Sequence, residues 1–299
     1  MLLVLIIWQG QQRGCGGQWQ YRGWDDWTMM TNDLVSIIML SHNKVQFVEE
    51  SVRSVIAQTY TNWELIFVDD SSKDDTINLM MDLMEEGKRR KEDGTVVNRI
   101  SVTRNVHRKG SVASMNSALR EARGRWVAFL NVGDLWEPAK LERQVAFMEE
   151  NDYAFTYTKY KYIDMESRDR GDMMGGLQVV THRDLIKCCW MGCPTVMYDA
   201  RRLGRFQVRN IQEHNDFGLW MSVSETTDCH LLDECLASLR VSHRRLSPLP
   251  MFDKVRWRYE VFHSMEGLNP FLSSWLTARN MLGGFMKKVR YVEKVENKI

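Results

Sequence analysis

Residues 51–76 read SVRSVIAQTYTNWELIFVDDSSKDDT, and this stretch decides the fold. Val52, Val55 and Ile56, with Phe47 and Val48 a turn earlier, recur at the period of a helix with one apolar face. At Glu64-Leu65-Ile66-Phe67-Val68 that period gives way to a short apolar run, the pattern of a strand covered on both faces. The run stops at Asp69-Asp70-Ser71-Ser72, short polar residues that favour turns and helix starts. Helix, doubly buried strand and polar tip in succession form part of a parallel α/β unit, and such sheets take ligands at the carboxyl ends of their strands.

The same alternation continues on both sides. Leu34 to Leu40 reads as a buried strand ending in the polar tip Ser41-His42-Asn43-Lys44. Downstream, Asp74 and Asp75 can cap a helix carrying Ile77, Met80, Met81 and Met84, and the charged stretch Glu85 to Asp93 reads as a solvated loop. Ile100-Ser101-Val102 is a short strand, 112–122 a helix, and Trp126 to Leu130 another buried strand, which ends in Asn131-Val132-Gly133-Asp134. Pro138 then suits the first turn of a helix bearing Leu141, Val145 and Met148. The fold class expected is α/β: a Rossmann-like, mostly parallel central sheet with helices on both faces, spanning 34–245. The tips after Leu40, Val68 and Leu130 should share one crevice.

Three segments depart from this rhythm. Residues 1–33, rich in Gly, Gln and Trp, read as a poorly ordered extension, with Met30 an alternative start. Beyond Asn151 the pattern becomes Tyr-rich, and Gly171 to Gly176 reads as a mobile loop over the crevice. Residues 246–299 read as a helical tail in which Trp257, Phe271, Trp275 and Phe285 alternate with Arg256, Arg258, Arg279 and Arg290; this composition suits a membrane surface or packing against the main domain.

Composition narrows the partners. The 40 basic and 39 acidic residues leave a net charge of +1, which gives no bulk attraction for a polyanion, so nucleic acid is not an expected partner. Neighbouring Cys188 and Cys189 do not form an ordinary disulfide, and the spacing to Cys193 lacks the paired knuckles of a zinc site. A reducing, cytoplasmic compartment fits. Leu2 to Trp8 is far shorter than the ~20 residues that cross a bilayer.

Five segments together carry a resemblance: VSIIMLSHN, the 51–76 block, KGSVASMNSALREARGRWVAFL, NVGDLWEPAKL and NDFGLW. From about Leu34 to Trp220 the chain resembles the family 2 glycosyltransferases of GT-A fold, inverting enzymes that use nucleotide-sugars in bacterial polysaccharide synthesis. The resemblance implies transfer of a sugar from a nucleoside diphosphate donor, a UDP-sugar by preference, to a saccharide or lipid-linked saccharide acceptor, at or near the inner face of the membrane. It implies nucleotide-sugar contacts from Ser41, His42, Asn43, Asp69, Asp70, Gly110, Asn116 and Asn131. Asp69 is equally readable as a turn cap, and Asn116 as a helix-surface residue. The family's Asp-x-Asp-Asp tip holds Mg²⁺ or Mn²⁺; here Asn131 and Gly133 replace two carboxylates, and Asp134 is left as the metal ligand. This change also leaves open metal-independent turnover or a catalytically silent binding protein. Asp216 matches the family's general base, with Glu213 its nearest competitor, and an acceptor hydroxyl needs such a group to lose its proton as it attacks. On the acceptor side the resemblance points to Tyr157, Asp164 and Trp220, near Lys159 and Tyr160.

Overall fold

The computed structural model describes residues 31–90, 96–208, 215–241 and 251–294. The extension through residue 30, Glu213 and the junction at 245/246 lie outside them. The chain runs β1 (Thr31–Ser41), α1 (Val45–Ile56), β2 (Trp63–Asp69), α2 (Thr76–Glu86), β3 (Arg89–Arg90), β4 (Val96–Val97), β5 (Ile100–Arg104), α3 (Ser111–Glu121), β6 (Gly124–Phe129), β7 (Leu135–Trp136) and α4 (Lys140–Glu150). Then follow β8 (Phe155–Ile163), β9 (Asp169–Met174), β10 (Val179–Val180), α5 (His182–Lys187), β11 (Met197–Asp199), α6 (Ala200–Leu203), α7 (Asn215–Ser224) and β12 (Cys229–Arg240). The tail forms α8 (Met251–Glu260), a π-helical turn at Val261–Met265, α9 (Pro270–Arg290) and β13 (Val292–Lys294).

The sheet is ordered β10-β12-β8-β11-β6-β1-β2-β5. Its first-formed half, β6-β1-β2-β5, is wholly parallel. β11 then enters antiparallel between β6 and β8, while β8 and β12 run parallel, so the second half is mixed. All seven residues of β2 are buried, because helices cover both faces. One face packs Val48, Val52 and Val55 of α1 and Met80 of α2 on Ile37, Leu65 and Phe67. The other packs Met115 and Leu119 of α3 and Trp220 of α7 on Ile38, Ile66 and Phe129. Glu64, near the start of β2, sits at the amino ends of the strands, away from the ligand side. Its carboxylate accepts from Ser36 Oγ at 2.6 Å and from Arg123 Nε and Nη2 at 2.9 and 2.6 Å, which offsets the cost of burying it.

Three expectations change. The charged 85–93 stretch is not simply a loop, since α2 continues through Glu86 and Arg89–Arg90 pairs with Val96–Val97. The first strand begins at Thr31, three residues before Leu34. Residues 169–174 form β9 instead of a mobile loop: β8 pairs with one edge and β13, from the far end of the chain, with the other. No local period could announce a strand whose second partner lies over a hundred residues away.

The tail is fastened to the domain. Val261 and Phe262 enter the core with no exposed surface, and α9 lies against α5. A Cβ at Gly283 would collide with the carbonyl of Lys187, so only glycine permits this approach. His182 of α5 bridges Ser224 Oγ, 2.9 Å from its Nδ1, and the Glu266 carboxylate, 3.5 Å from its Nε2. Its hydrogen bond to Glu266 raises the imidazole above its ordinary value, against a smaller opposing effect of burial. A raised imidazole adds stability that is full below about pH 6.5 and is lost as pH rises through the folded-state value. The melting temperature should therefore fall over that interval, and His182→Asn should flatten the slope in a thermal titration.

Candidate functional site

The carboxyl ends of β1, β2 and β6 open into one crevice of about 820 Å³. Two tips are laced across it. Asp70 N–H donates to Ser41 C=O at 2.9 Å, His42 Nδ1 donates to Asp70 C=O at 2.8 Å, and Asn43 N–H donates to Ser72 Oγ at 2.9 Å. Asn43 holds a left-handed backbone (φ 50°), and its Oδ1 accepts from Lys73 N–H at 2.8 Å. Ser41 Oγ is buried on the crevice wall without a hydrogen-bond partner among the described residues.

The adjacent carboxylates of the second tip do different work. Asp69 has no exposed surface; it accepts from Ser72 N–H at 2.9 Å and from Ser72 Oγ, so it caps the turn and does not reach the crevice. Asp70 lines the crevice, and its Oδ1 accepts from Asn105 Nδ2 at 2.9 Å and Lys109 N–H at 2.8 Å while Oδ2 accepts from Gly110 N–H at 2.9 Å. Burial pushes this carboxyl up, but these donors together hold it below the ordinary carboxylate value. They also fold the 105–110 segment against the start of α3, with Gly110 at φ 86°. Ser111 and Ser114, on the first turn of α3, face the crevice.

The third tip is organised from behind. Arg240, at the end of β12, donates from its backbone to Asp134 Oδ1 at 3.0 Å and from Nε to Gly133 C=O at 2.7 Å. Its Nη1 reaches Asp164 C=O at 2.9 Å and its Nη2 reaches Glu50 at 2.7 Å and Ser167 Oγ at 2.9 Å. From the opposite side Lys44 Nζ donates to Val132 C=O at 3.0 Å. Burial pushes the Asp134 carboxyl up to about 6; Asp216 across the crevice adds to this, and the Arg240 N–H, Lys44 and the Arg240 guanidinium oppose it. Asp216 opens α7, with Oδ1 accepting from Phe217 N–H at 2.8 Å, and lines the crevice together with Asn131.

Gly133 has φ 111°, a conformation that side chains rarely adopt, although the space beside it is open. A carboxylate there would thus strain the backbone even without a clash. Gly133→Asp and Gly133→Ala should each cost about 1–3 kcal/mol, read as a fall in melting temperature, with no gain in Mn²⁺ affinity from the Asp.

Several sequence-derived candidates sit elsewhere. Trp220 is fully buried, edge-on to Phe129 with ring centroids 4.9 Å apart, and belongs to the core. Tyr157 is buried and donates to Leu177 C=O at 2.6 Å. Asp164 closes its own turn on Arg168, accepting from the backbone N–H at 2.9 Å and from Nε at 2.8 Å. Asn116 clamps Val208, accepting from its N–H at 2.7 Å and donating to its C=O at 2.8 Å. On that side of the crevice Tyr160 and Tyr162 contribute instead, and the tail supplies Arg258, Asn280 and Lys287. Arg258 packs its guanidinium over Phe217, 4.1 Å from the ring centroid, with Nη1 buried and lacking a hydrogen-bond partner among the described residues.

Residues 36–208 match the family model described as glycosyl transferase family 2. The chain belongs to that family. TuaG of Bacillus subtilis, a glycosyltransferase named for teichuronic acid biosynthesis, is 31% identical over 82% of this chain and 94% of its own length. WfgD of Escherichia coli, a UDP-Glc:alpha-D-GlcNAc-diphosphoundecaprenol beta-1,3-glucosyltransferase, is 34% identical over 65% of this chain and 71% of its own. Among solved structures, TarS of S. aureus in complex with UDP superposes with a TM-score of 0.59 at 18% identity, covering 83% of this chain and 70% of that one. The family 2 chain described here therefore has the GT-A architecture of a glycosyltransferase, and among its described residues no helix is long and apolar enough to cross a membrane.

Among the described residues, no group of three His, Cys, Asp or Glu side chains converges to hold a metal. Asp134 has one carboxylate oxygen engaged by Arg240, and the amide of Asn131 lies beside it in the crevice wall. Such a sparse oxygen set fits a divalent cation only as one that also draws ligands from substrate phosphates and water.

Proposed function

We propose that the protein transfers a hexose-type sugar from a UDP-sugar to a hydroxyl of a lipid-linked saccharide during cell-surface polysaccharide synthesis, with inversion at the anomeric carbon. The observation that carries this reading is the arrangement of Asp70, Asp134 and Asp216 on one crevice, each from a different strand tip or helix start. Asp70 and the segment it folds would receive the nucleoside and its diphosphate, next to the amino end of α3, where backbone N–H groups favour an anion. Asn131 and Asp134 would hold a divalent cation against that diphosphate, where it would offset the negative charge left on the departing group. Asp216 would take the proton of the attacking acceptor hydroxyl. The named activities of WfgD and the UDP complex of TarS support the donor and the lipid-linked acceptor.

Calorimetric titration with UDP, with and without Mn²⁺, tests the reading. Micromolar binding that tightens with the cation is the expected result, and absence of binding to UDP and every other nucleoside diphosphate would overturn it. Asp70→Asn sharpens the test. An amide keeps one acceptor oxygen but sets its NH₂ against the N–H groups of the 105–110 segment, which loosens that segment. UDP affinity should then fall about tenfold or more, equivalent to at least ~1.4 kcal/mol, and amide exchange at Lys109 and Gly110 should accelerate.

A further inference from the structure

Helix α9 is amphipathic in the inverse sense. Ser273, Thr277, Asn280 and Lys287 face the protein and are buried together with the single apolar Leu276, while Phe271, Trp275, Leu282, Phe285, Met286 and Val289 face outward. Phe271 is 84% exposed, Val289 67%, Phe285 64% and Leu282 63%. At 100° per residue these side chains fall on one stripe, and between Phe271 and Val289 it runs for about 27 Å at 1.5 Å per residue. The inward polar groups are used: Asn280 Nδ2 donates to Leu185 and Ile186 C=O at 3.0 and 2.9 Å, and Lys287 Nζ donates to Trp190 C=O at 2.5 Å. The helix is thus fastened by its polar side and presents its apolar side to the exterior, the reverse of a helix covering a core.

The charge around the stripe selects what covers it. Of its charged residues Arg279 and Arg290 are exposed while Lys287 is turned inward, and the helix carries no acidic residue. Arg279 stands at the edge of the stripe, its guanidinium 5.2 Å from the Trp275 ring centroid, and Phe252 and Val255 are exposed on α8. An exposed apolar stripe with aromatic residues, on a helix whose exposed charges are all cationic, is complementary to the headgroup and upper acyl region of an anionic bilayer. The opposite side of α9 contributes Asn280, Met281 and Lys287 to the crevice.

We propose that α9 is a membrane-docking helix, lying in the plane of an anionic phospholipid surface with its Phe271-to-Val289 stripe inserted and the crevice held beside that surface. The lipid contact stands on the helix alone; its benefit to turnover rests on the lipid-linked acceptor proposed above.

Vesicle co-sedimentation with the full chain, in the absence of nucleotide and saccharide, tests the contact independently of that chemistry. The protein should pellet with phosphatidylglycerol-containing vesicles, and binding should weaken at least tenfold on pure phosphatidylcholine or in high salt. Leu282→Glu with Phe285→Glu alters only exposed positions and should abolish binding with an unchanged melting temperature. Arg279→Gln with Arg290→Gln should weaken binding to anionic vesicles while leaving the residual binding to neutral ones. Failure of the wild type to bind anionic vesicles would overturn the proposal. So would a concentration-dependent dimer in gel filtration that the double Glu variant converts to monomer, since a second copy would then be the occupant.

Discussion

Asp216→Asn is expected to lower kcat by two to four orders of magnitude while UDP affinity changes by less than about twofold, the signature of a lost proton acceptor at an otherwise assembled site. The side chain stands at the first turn of α7, where the helix favours negative charge, and its contact with Phe217 N–H fixes the carboxylate over the crevice. An amide is nearly isosteric but is no base. A purely structural role predicts the opposite pattern: a lower melting temperature and weaker UDP binding with turnover reduced only in proportion. Retention of turnover within about tenfold would exclude Asp216 as the base.

The same variant carries a second signature. The Asp134 carboxyl stands at about 6, above its ordinary 3.8, mainly through burial and in smaller part through the charge of Asp216. A carboxyl raised in the folded state favours folding at low pH, and that contribution is lost as pH rises from about 3.8 through about 6. Removing the Asp216 charge should shift the loss to lower pH, visible as displacement of the stability profile in a series of denaturant titrations.

Arg240→Ala is expected to destabilise the fold by about 3 kcal/mol and to abolish turnover. The side chain is 5% exposed and ties together the tip at Gly133, the turn at Asp164 and helix α1 through Glu50. Truncation leaves the carbonyls of Gly133, Asp164 and Met165 without this donor and removes the tie between the segments that carry them. For a domain of this size the loss corresponds to a drop of about 6–12 °C in melting temperature. Arg240→Lys should recover little, because an ammonium cannot reach the Gly133 carbonyl, the carbonyls of the 164–165 turn and the Glu50 carboxylate at once. Stability and turnover close to the wild type in Arg240→Ala would show that the tip holds its shape unaided.

The parallel half of the sheet was legible because its signals are local. A strand buried on both faces, such as 63–69, is apolar throughout, and the 3.6-residue period of α1 needs no knowledge of its neighbours. Asp70 and Asp216 were legible through their place at a strand tip and a helix start. The neighbours Asp69 and Asp70 were not separable by residue type alone, although the resemblance already left Asp69 readable as a turn cap; only the fold of 105–110 gives Asp70 its three donors. Trp220 and Tyr157 could not be placed by type, because aromatic side chains serve a core as readily as a sugar site. Arg240 was not singled out, and Arg258 and Lys287 entered only as basic residues of the tail, not as part of the site. Each acts through contacts with segments distant in sequence, and a basic residue near a strand end or in a helical tail carries no local mark of that use.

The fastening of the tail bears on when the protein becomes competent. A nascent chain that has emerged as far as Val241 has every strand of the β10-to-β5 sheet and the crevice carboxylates Asp70, Asp134 and Asp216, yet lacks the wall that Arg258, Asn280 and Lys287 supply. At about 5–20 residues per second, the residues through Lys294 follow within about 3–11 seconds, and only then can β13 pair with β9. Synthesis order thus makes a segment made after the sheet the one that completes the crevice and, through the outward face of α9, the one proposed to carry it to a surface: the crevice would be closed and delivered by the same late event.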